Sequence, residues 1–148
     1  MRWLNFLWRL SWKQKVLFVL IFLLLGIMRV VILLIPFRYY VKILLNPKPS
    51  QNKFTLTIQK FGYARAIGRL TMLAAKFTPW ESKCLVQGLT VRFLLRVWHI
   101  PSCVYIGVGK DEEQQFAAHA WVNCNNFTLI GGAESFKQFK IISQFEDF

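Results

Sequence analysis

The stretch KCLVQGLTVRFLLRVWHIP, residues 83–101, decides the fold together with FAAHAWVNC, residues 116–124, which follows after a short gap. In the first stretch apolar residues recur at helical spacing, and Pro101 ends the pattern. This predicts a helix that opens near Trp80, has Ser82 as its N-cap and runs to about Trp98. Its predicted core stripe consists of Leu85, Val86, Leu89, Phe93 and Val97.

The sequence after this helix is typical of β-strands. Residues 102–108 and 116–124 are rich in apolar and β-branched or aromatic residues, and the tight turn Asn125-Asn126 leads to a third strand at 127–130. Gly131-Gly132 ends that strand, and the tail 135–142 is compatible with a helix or an extended segment. We therefore predict an α+β fold in which a helix is followed by an antiparallel meander.

Cys84 is a candidate nucleophile because it falls in the first turn of the predicted helix. Free backbone N–H groups and the helix dipole favour a thiolate at that position. A nucleophilic cysteine needs a general base, and His119 on the second strand is the candidate. The alternative is that Cys84 is a small core residue, which is the common role of a helical cysteine.

The remaining cysteines and the other histidine fit this role less well. Cys124 is five residues from His119 on one strand, about 17 Å away and on the opposite face. Cys103, on a neighbouring strand, is harder to exclude but has no helix terminus to activate it. His99 lies between a helix and a proline, where capping of the loop is the expected role.

A third group should orient the imidazole of His119. If Asn125-Asn126 is a two-residue turn, position 124 pairs with 127 and His119 faces Gly132, which has no side chain. Glu134 is on the same face two residues further on, within diagonal reach. We therefore predict Cys84, His119 and Glu134 as the catalytic residues.

The charge of the chain is divided unequally between its halves. The 148 residues carry a formal net charge of +12, and 55% of them are hydrophobic. Residues 1–80 contain 13 Lys or Arg and no acid, whereas residues 81–148 contain 6 Lys or Arg and 7 Asp or Glu. This composition excludes intrinsic disorder and marks the first half as a basic, apolar region.

Residues 16–35 form an apolar run, VLFVLIFLLLGIMRVVILLI, interrupted by Arg29. As a helix, twenty residues measure about 30 Å, which is enough to cross a bilayer. Tryptophans and cations precede the run, as is typical of a lipid headgroup zone. Contact of residues 1–45 with a membrane and packing of this helix on the rest of the chain are both open from sequence. A cleaved signal peptide is disfavoured, since no small-residue cleavage site follows.

Breaker residues divide the chain into segments. We predict a hydrophobic, basic helical segment at 1–46, a linker at 47–53 and a domain at 54–148. Within the domain, residues 56–77 are expected to form a basic helix that ends at Thr78-Pro79.

Several classes of function lack support. Three cysteines do not make a disulfide framework, and no cysteine or histidine spacing matches a metal site, so we expect no metal and no cofactor. No phosphate-binding glycine loop is present. The cations are scattered through apolar sequence without a nucleic-acid-binding signature, so nucleic acid is not an expected partner.

Four short motifs follow one another in the second half of the chain: Lys83-Cys84-Leu85-Val86-Gln87, His99-Ile100-Pro101, Ile106-Gly107-Val108 and Ala117-Ala118-His119-Ala120-Trp121-Val122. Together they resemble the B proteins of lasso peptide biosynthesis. The resemblance covers residues 80–145, and the run ending Leu34-Ile35-Pro36-Phe37-Arg38 is similar to the N-terminal part of such proteins. It implies a transglutaminase- or papain-like core, with a cysteine-bearing helix on an antiparallel meander, behind hydrophobic N-terminal helices.

The resemblance also implies an activity and partners. Members of this family are cysteine peptidases that remove the leader from a ribosomally made precursor peptide. The chain would be the stand-alone peptidase of a split pair, working with a small leader-recognition protein and an ATP-dependent macrolactam synthetase. The resemblance implies a cytoplasmic location, and residues 1–45 suggest association with the inner membrane.

One departure from the family pattern concerns the triad. The expected Asp about a dozen residues after the histidine is absent, and Gly131-Gly132 occupies that zone. We predict that Glu134 replaces it; the alternatives are a Cys–His dyad and an impaired enzyme. A transamidase, or a membrane adaptor without enzymatic activity, remain the competing functions.

Overall fold

The fold places helices on one face of a four-stranded antiparallel sheet. The computed structural model describes residues 8–45, 56–132 and 134–147. In chain order the elements are α1 (Trp12–Leu34), α2 (Phe37–Leu44), α3 (Ile58–Ala75), α4 (Cys84–Val97), β1 (Ser102–Lys110), β2 (Phe116–Cys124), β3 (Phe127–Ile130), α5 (Ser135–Gln138) and β4 (Phe139–Asp147). The α+β prediction is confirmed.

The sheet has the strand order β3-β2-β1-β4 with every neighbouring pair antiparallel. The first three strands form the predicted meander, and Cys124 pairs with Phe127 across the Asn125-Asn126 turn, as predicted. The tail is both helical and extended, because the single turn of α5 leads into β4, which returns to pair with β1.

Helix α4 is enclosed on several sides. It contacts β2 on one side and α1 and α3 on the other. Buried positions consequently extend around most of the helix and include Gly88, Leu89, Thr90, Val91, Leu94 and Leu95. The predicted single stripe was wrong at Phe93 and Val97, which are exposed, because a helix covered by both a sheet and other helices has no single core face.

The start of α4 differs by one residue from the prediction. Lys83 is the N-cap and makes no side-chain capping bond. The Ser82 hydroxyl, predicted to be the cap, lies 2.8 Å from the Thr78 hydroxyl, and its carbonyl oxygen accepts a 2.7 Å hydrogen bond from the Gln87 amide. Ser82 therefore fixes the approach to the helix, and Cys84 becomes the first helical residue.

Helix α1 contains most of the predicted apolar run and begins four residues before it, with a capping box between Ser11 and Gln14. Ile21, Leu24, Leu25 and Met28 are buried on its inner face and belong to the same apolar cluster as residues of α3, α4 and the sheet. By length and composition alone, with a mean hydropathy of 3.1, this helix could also cross a membrane.

The predicted linker at 47–53 lies outside the described residues. The predicted helix at 56–77 is present as α3, with Thr57 as its N-cap accepting a 3.3 Å bond from the Lys60 N–H. Gly68 of α3 lies against the backbone of β3, where an added Cβ would stand 2.9 Å from the Leu129 carbonyl oxygen.

This close approach predicts opposite effects for two glycines of the same helix. Gly68→Ala should lower the free energy of unfolding by about 1–3 kcal/mol, because the methyl group forces α3 away from β3. Gly62→Ala, where an added Cβ meets nothing within 4 Å, should raise it by up to about 1 kcal/mol through helix propensity. Urea unfolding of both variants measures these changes in stability. Equal unfolding midpoints for the two variants would contradict the close packing of Gly68 on β3.

Candidate active site

Cys84 lies half-buried at the first position of α4, close to β2. Burial acts to raise the pKa of its thiol, but hydrogen bonds with the His119 side chain, the Ala120 backbone and the Leu85 backbone outweigh burial, and the net pKa is lowered. Two of these groups belong to β2. The strand and the helix terminus therefore stabilise the thiolate together.

His119 lies on β2 and contacts two groups. Its hydrogen bond with Cys84 is the largest influence on its pKa, which is raised despite partial burial. Its Nε2 lies 2.7 Å from the carbonyl oxygen of Gly131, which leaves Nδ1 for the thiol. The Cys84 pKa is lowered and the His119 pKa is raised, so both shifts act in the direction that stabilises a thiolate–imidazolium pair relative to the neutral pair.

The carbonyl oxygen of Gly131 takes the place of a side-chain acceptor. Gly131 has a φ of +92°, and a Cβ at this residue would overlap the Cα and Cβ of Trp121. Only glycine fits both restrictions. The same carbonyl accepts a hydrogen bond from the buried Ser135 hydroxyl, so its position is fixed from both sides.

Aromatic rings hold the imidazole in place. The His119 ring stacks on Phe139 at a centroid distance of 4.9 Å and on Trp121 at 6.1 Å. Trp121 is fully buried and stacks in turn on Tyr105 at 5.6 Å. The ring of His119 is thus restrained by packing as well as by hydrogen bonds.

The sequence-based register is correct for the two pairs next to the turn, Cys124–Phe127 and Asn123–Thr128, and was wrong from Val122 onward. The pairing shifts between Val122 and Asn123, so that Val122 faces Ile130 and Asn123 faces Thr128. This bulge and the end of β3 at Ile130 prevent the predicted pairing of His119 with Gly132. The chain instead brings Gly131 to the imidazole.

Glu134 lies at the border of the same cleft as His119. Its exposed carboxylate forms a 2.9 Å ion pair with Lys137, one turn further along α5. Its role as the orienting group stays a prediction. Gly131, Ser135 and Phe139 were missed by sequence reasoning. A backbone carbonyl is the same in every residue type, and the segment that carries Phe139 was left open between a helix and an extended segment.

The other candidate residues lie elsewhere. Burial raises the pKa of Cys103 and raises the pKa of Cys124 to about 11, so neither thiol is activated. His99 follows α4 in the left-handed region, with φ of 52°, at the opposite end of the helix from Cys84. Trp80 packs on α1, 5.4 Å from the Phe22 ring, with its indole nitrogen buried and unpaired among the described residues.

A cleft of about 710 Å³ opens beside His119. It is lined by His119, Gly131 and Phe139 of the site and by Asp111, Glu112 and Glu134. This volume is typical of a pocket that holds a small ligand or a few residues of a peptide. Among the described residues, no group of three or more His, Cys, Asp or Glu side chains could hold a metal ion.

A family model matches most of the chain. The sequence profile described as the transglutaminase-like superfamily matches residues 31–144, which include all of α2 to α5 and most of β4. Searches of curated protein sequences and of solved structures gave no significant match.

The electrostatics of the site predict selective alkylation. At pH 7 iodoacetamide should modify Cys84 well before Cys103 or Cys124, because only the Cys84 pKa is lowered. The rate should rise with pH through that lowered pKa and then level off, since the thiolate is the reacting form. His119→Ala removes a hydrogen bond to the thiolate and should shift the midpoint to higher pH. Peptide mapping by mass spectrometry measures the selectivity of alkylation and its pH dependence. The same pH midpoint in wild type and His119→Ala would contradict the pairing of Cys84 with His119.

Proposed function

Because the chain belongs to the transglutaminase-like superfamily, which generally comprises cysteine peptidases and transamidases, we propose that it is a cysteine peptidase. Its proposed substrate is a lasso precursor peptide, from which it removes the leader. The hydrogen bond between Cys84 at a helix N-terminus and His119 beside an open cleft carries the proposal. The sequence motif around these two residues supports the choice of substrate.

The proposed reaction proceeds through a thioester. The Cys84 thiolate attacks the carbonyl carbon at the leader–core junction, and the Cys84 backbone N–H stabilises the oxyanion that forms. His119, held as an imidazolium, donates its proton to the departing core amine as the C–N bond breaks. His119 then accepts a proton from water, which attacks the thioester and releases the leader as a free acid.

The freed amine determines the proposed partners. A macrolactam ring needs this amine and an activated carboxyl group, which an ATP-dependent macrolactam synthetase would supply. A small leader-recognition protein would deliver the precursor, and the reaction would take place in the cytoplasm. A transamidase differs only in the second step, where an amine replaces water.

The expected products separate these functions. A candidate lasso precursor, mixed with the chain and a leader-recognition protein, should yield free leader acid and core peptide by mass spectrometry. Cys84→Ala should abolish the cleavage, whereas Cys103→Ala, which changes a thiol outside the site, should retain it. An amide-linked leader adduct would indicate transamidation. Equal cleavage by Cys84→Ala would eliminate Cys84 as the nucleophile, and a membrane adaptor predicts no effect of that substitution.

The third catalytic group has two candidates, and the geometry favours one. The Gly131 carbonyl contacts His119, whereas the Glu134 carboxylate pairs with Lys137. We expect Glu134→Gln to retain most of the cleavage rate. A loss of about 100-fold or more, as when a triad acid is removed, would assign the orienting role to Glu134. Gly131→Ala, which cannot keep the carbonyl in place, should reduce the rate strongly, and cooperative urea unfolding shows whether the variant is folded.

A further inference from the structure

Helix α1 exposes a continuous apolar stripe on its outer face. The stripe residues recur at helical spacing, and each is more than 40% exposed: Val16, Val19, Leu20, Leu23, Ile27, Val30, Leu33 and Leu34. The helix has 23 residues, so the stripe is about 30 Å long. A contiguous apolar surface of this size on a folded chain marks an interaction site.

The inner face of α1 is already occupied by the domain. Ile21 and Leu25 are fully buried, and α1 packs on α3 and α4. Arg29 forms a 3.3 Å ion pair with Glu81, and Gly26 lies against the Trp80 ring. A helix that crosses a bilayer must present its whole circumference to lipid or membrane-embedded protein. The folded domain therefore leaves α1 one face for a partner.

The charges around α1 identify the partner. Residues 1–80 contain 13 cations and no acid, and Arg9 and Lys13 are exposed at the N-terminal end of the helix. Trp8 and Trp12, 82% and 79% exposed, lie beside them. Cations and tryptophans next to an apolar stripe match the headgroup zone of an anionic membrane. A second copy of a +12 chain would place like charges against each other.

We propose that the outer stripe of α1 binds an anionic lipid surface, with the helix lying parallel to the membrane plane and its inner face holding the catalytic domain. The apolar side chains enter the boundary between headgroups and acyl chains, while the cations bind lipid phosphates. Trp80 and Glu81, which contact α1, immediately precede the Cys84 helix, so the same element anchors the site at the surface. The proposal does not depend on the activity of Cys84.

Vesicle flotation with the full chain tests the lipid partner. The chain should float with vesicles of phosphatidylglycerol and phosphatidylcholine, bind pure phosphatidylcholine at least tenfold more weakly, and lose affinity as salt is raised. Equal binding to both vesicle types would overturn the electrostatic part, and no binding to either would overturn the proposal.

Matched variants test the surface. Leu23→Lys combined with Ile27→Lys should lower vesicle affinity by about tenfold or more, because two anchoring side chains are lost. Ile142→Lys on β4 replaces a residue of similar exposure, 58% against 55% for Ile27, and should leave affinity unchanged. Cooperative urea unfolding shows that each variant is folded. If the double Lys variant and Ile142→Lys lost vesicle affinity equally, the stripe would not be the binding surface.

The orientation of α1 has a separate readout. When the chain is added to preformed vesicles, a protease should cut an N-terminal tag, and alkaline carbonate should release the chain. A protected tag with resistance to carbonate would show that α1 spans the bilayer and overturn the in-plane geometry. The stripe would instead be assigned to self-association by three results together: no binding to vesicles, a dimer in the absence of lipid, and dissociation of that dimer in the double Lys variant.

Discussion

The packing of α4 across β2 is the contact on which the rest of the structure depends. At Gly88 the helix approaches closely enough that an added Cβ would already touch the Val122 and Ala120 side chains. Arg92, fully buried, donates a 2.7 Å hydrogen bond to the Ser102 carbonyl oxygen and another to that of Phe145, which joins the helix to β1 and β4. With the helix fixed along the sheet, its first residue, Cys84, is held beside His119 and Ala120.

The same packing explains why few polar side chains are needed to hold the site together. The imidazole has a thiol on one nitrogen and a main-chain carbonyl on the other, and aromatic rings flank its plane. The carbonyl is held by the positive φ of Gly131 and by the Ser135 hydroxyl. A neutral carbonyl can align an imidazole and fix its tautomer, which are two roles of a triad acid, but it supplies no negative charge.

Helix α1 has two apolar faces with different surroundings. One face completes the domain core, and the other is exposed to the surroundings of the protein. This explains why hydropathy alone left membrane contact and internal packing open: periodicity is lost when both faces are apolar, so sequence cannot separate the buried stripe from the exposed one. In this fold internal packing of α1 through one face is compatible with membrane contact through the other.

The sequence by itself determined the order of the elements from α3 to β3, the position of Cys84 at a helix N-terminus, His119 on a strand and the turn at Asn125-Asn126. These features depend on local periodicity and turn chemistry. Only the tertiary structure decided which groups meet. The bulge opposite Val122 moved the register, β4 brought Phe139 to the imidazole, and the Gly131 carbonyl approached His119. A main-chain oxygen is the same in every residue, so its use as a ligand is set by backbone position and leaves no mark in the residue type.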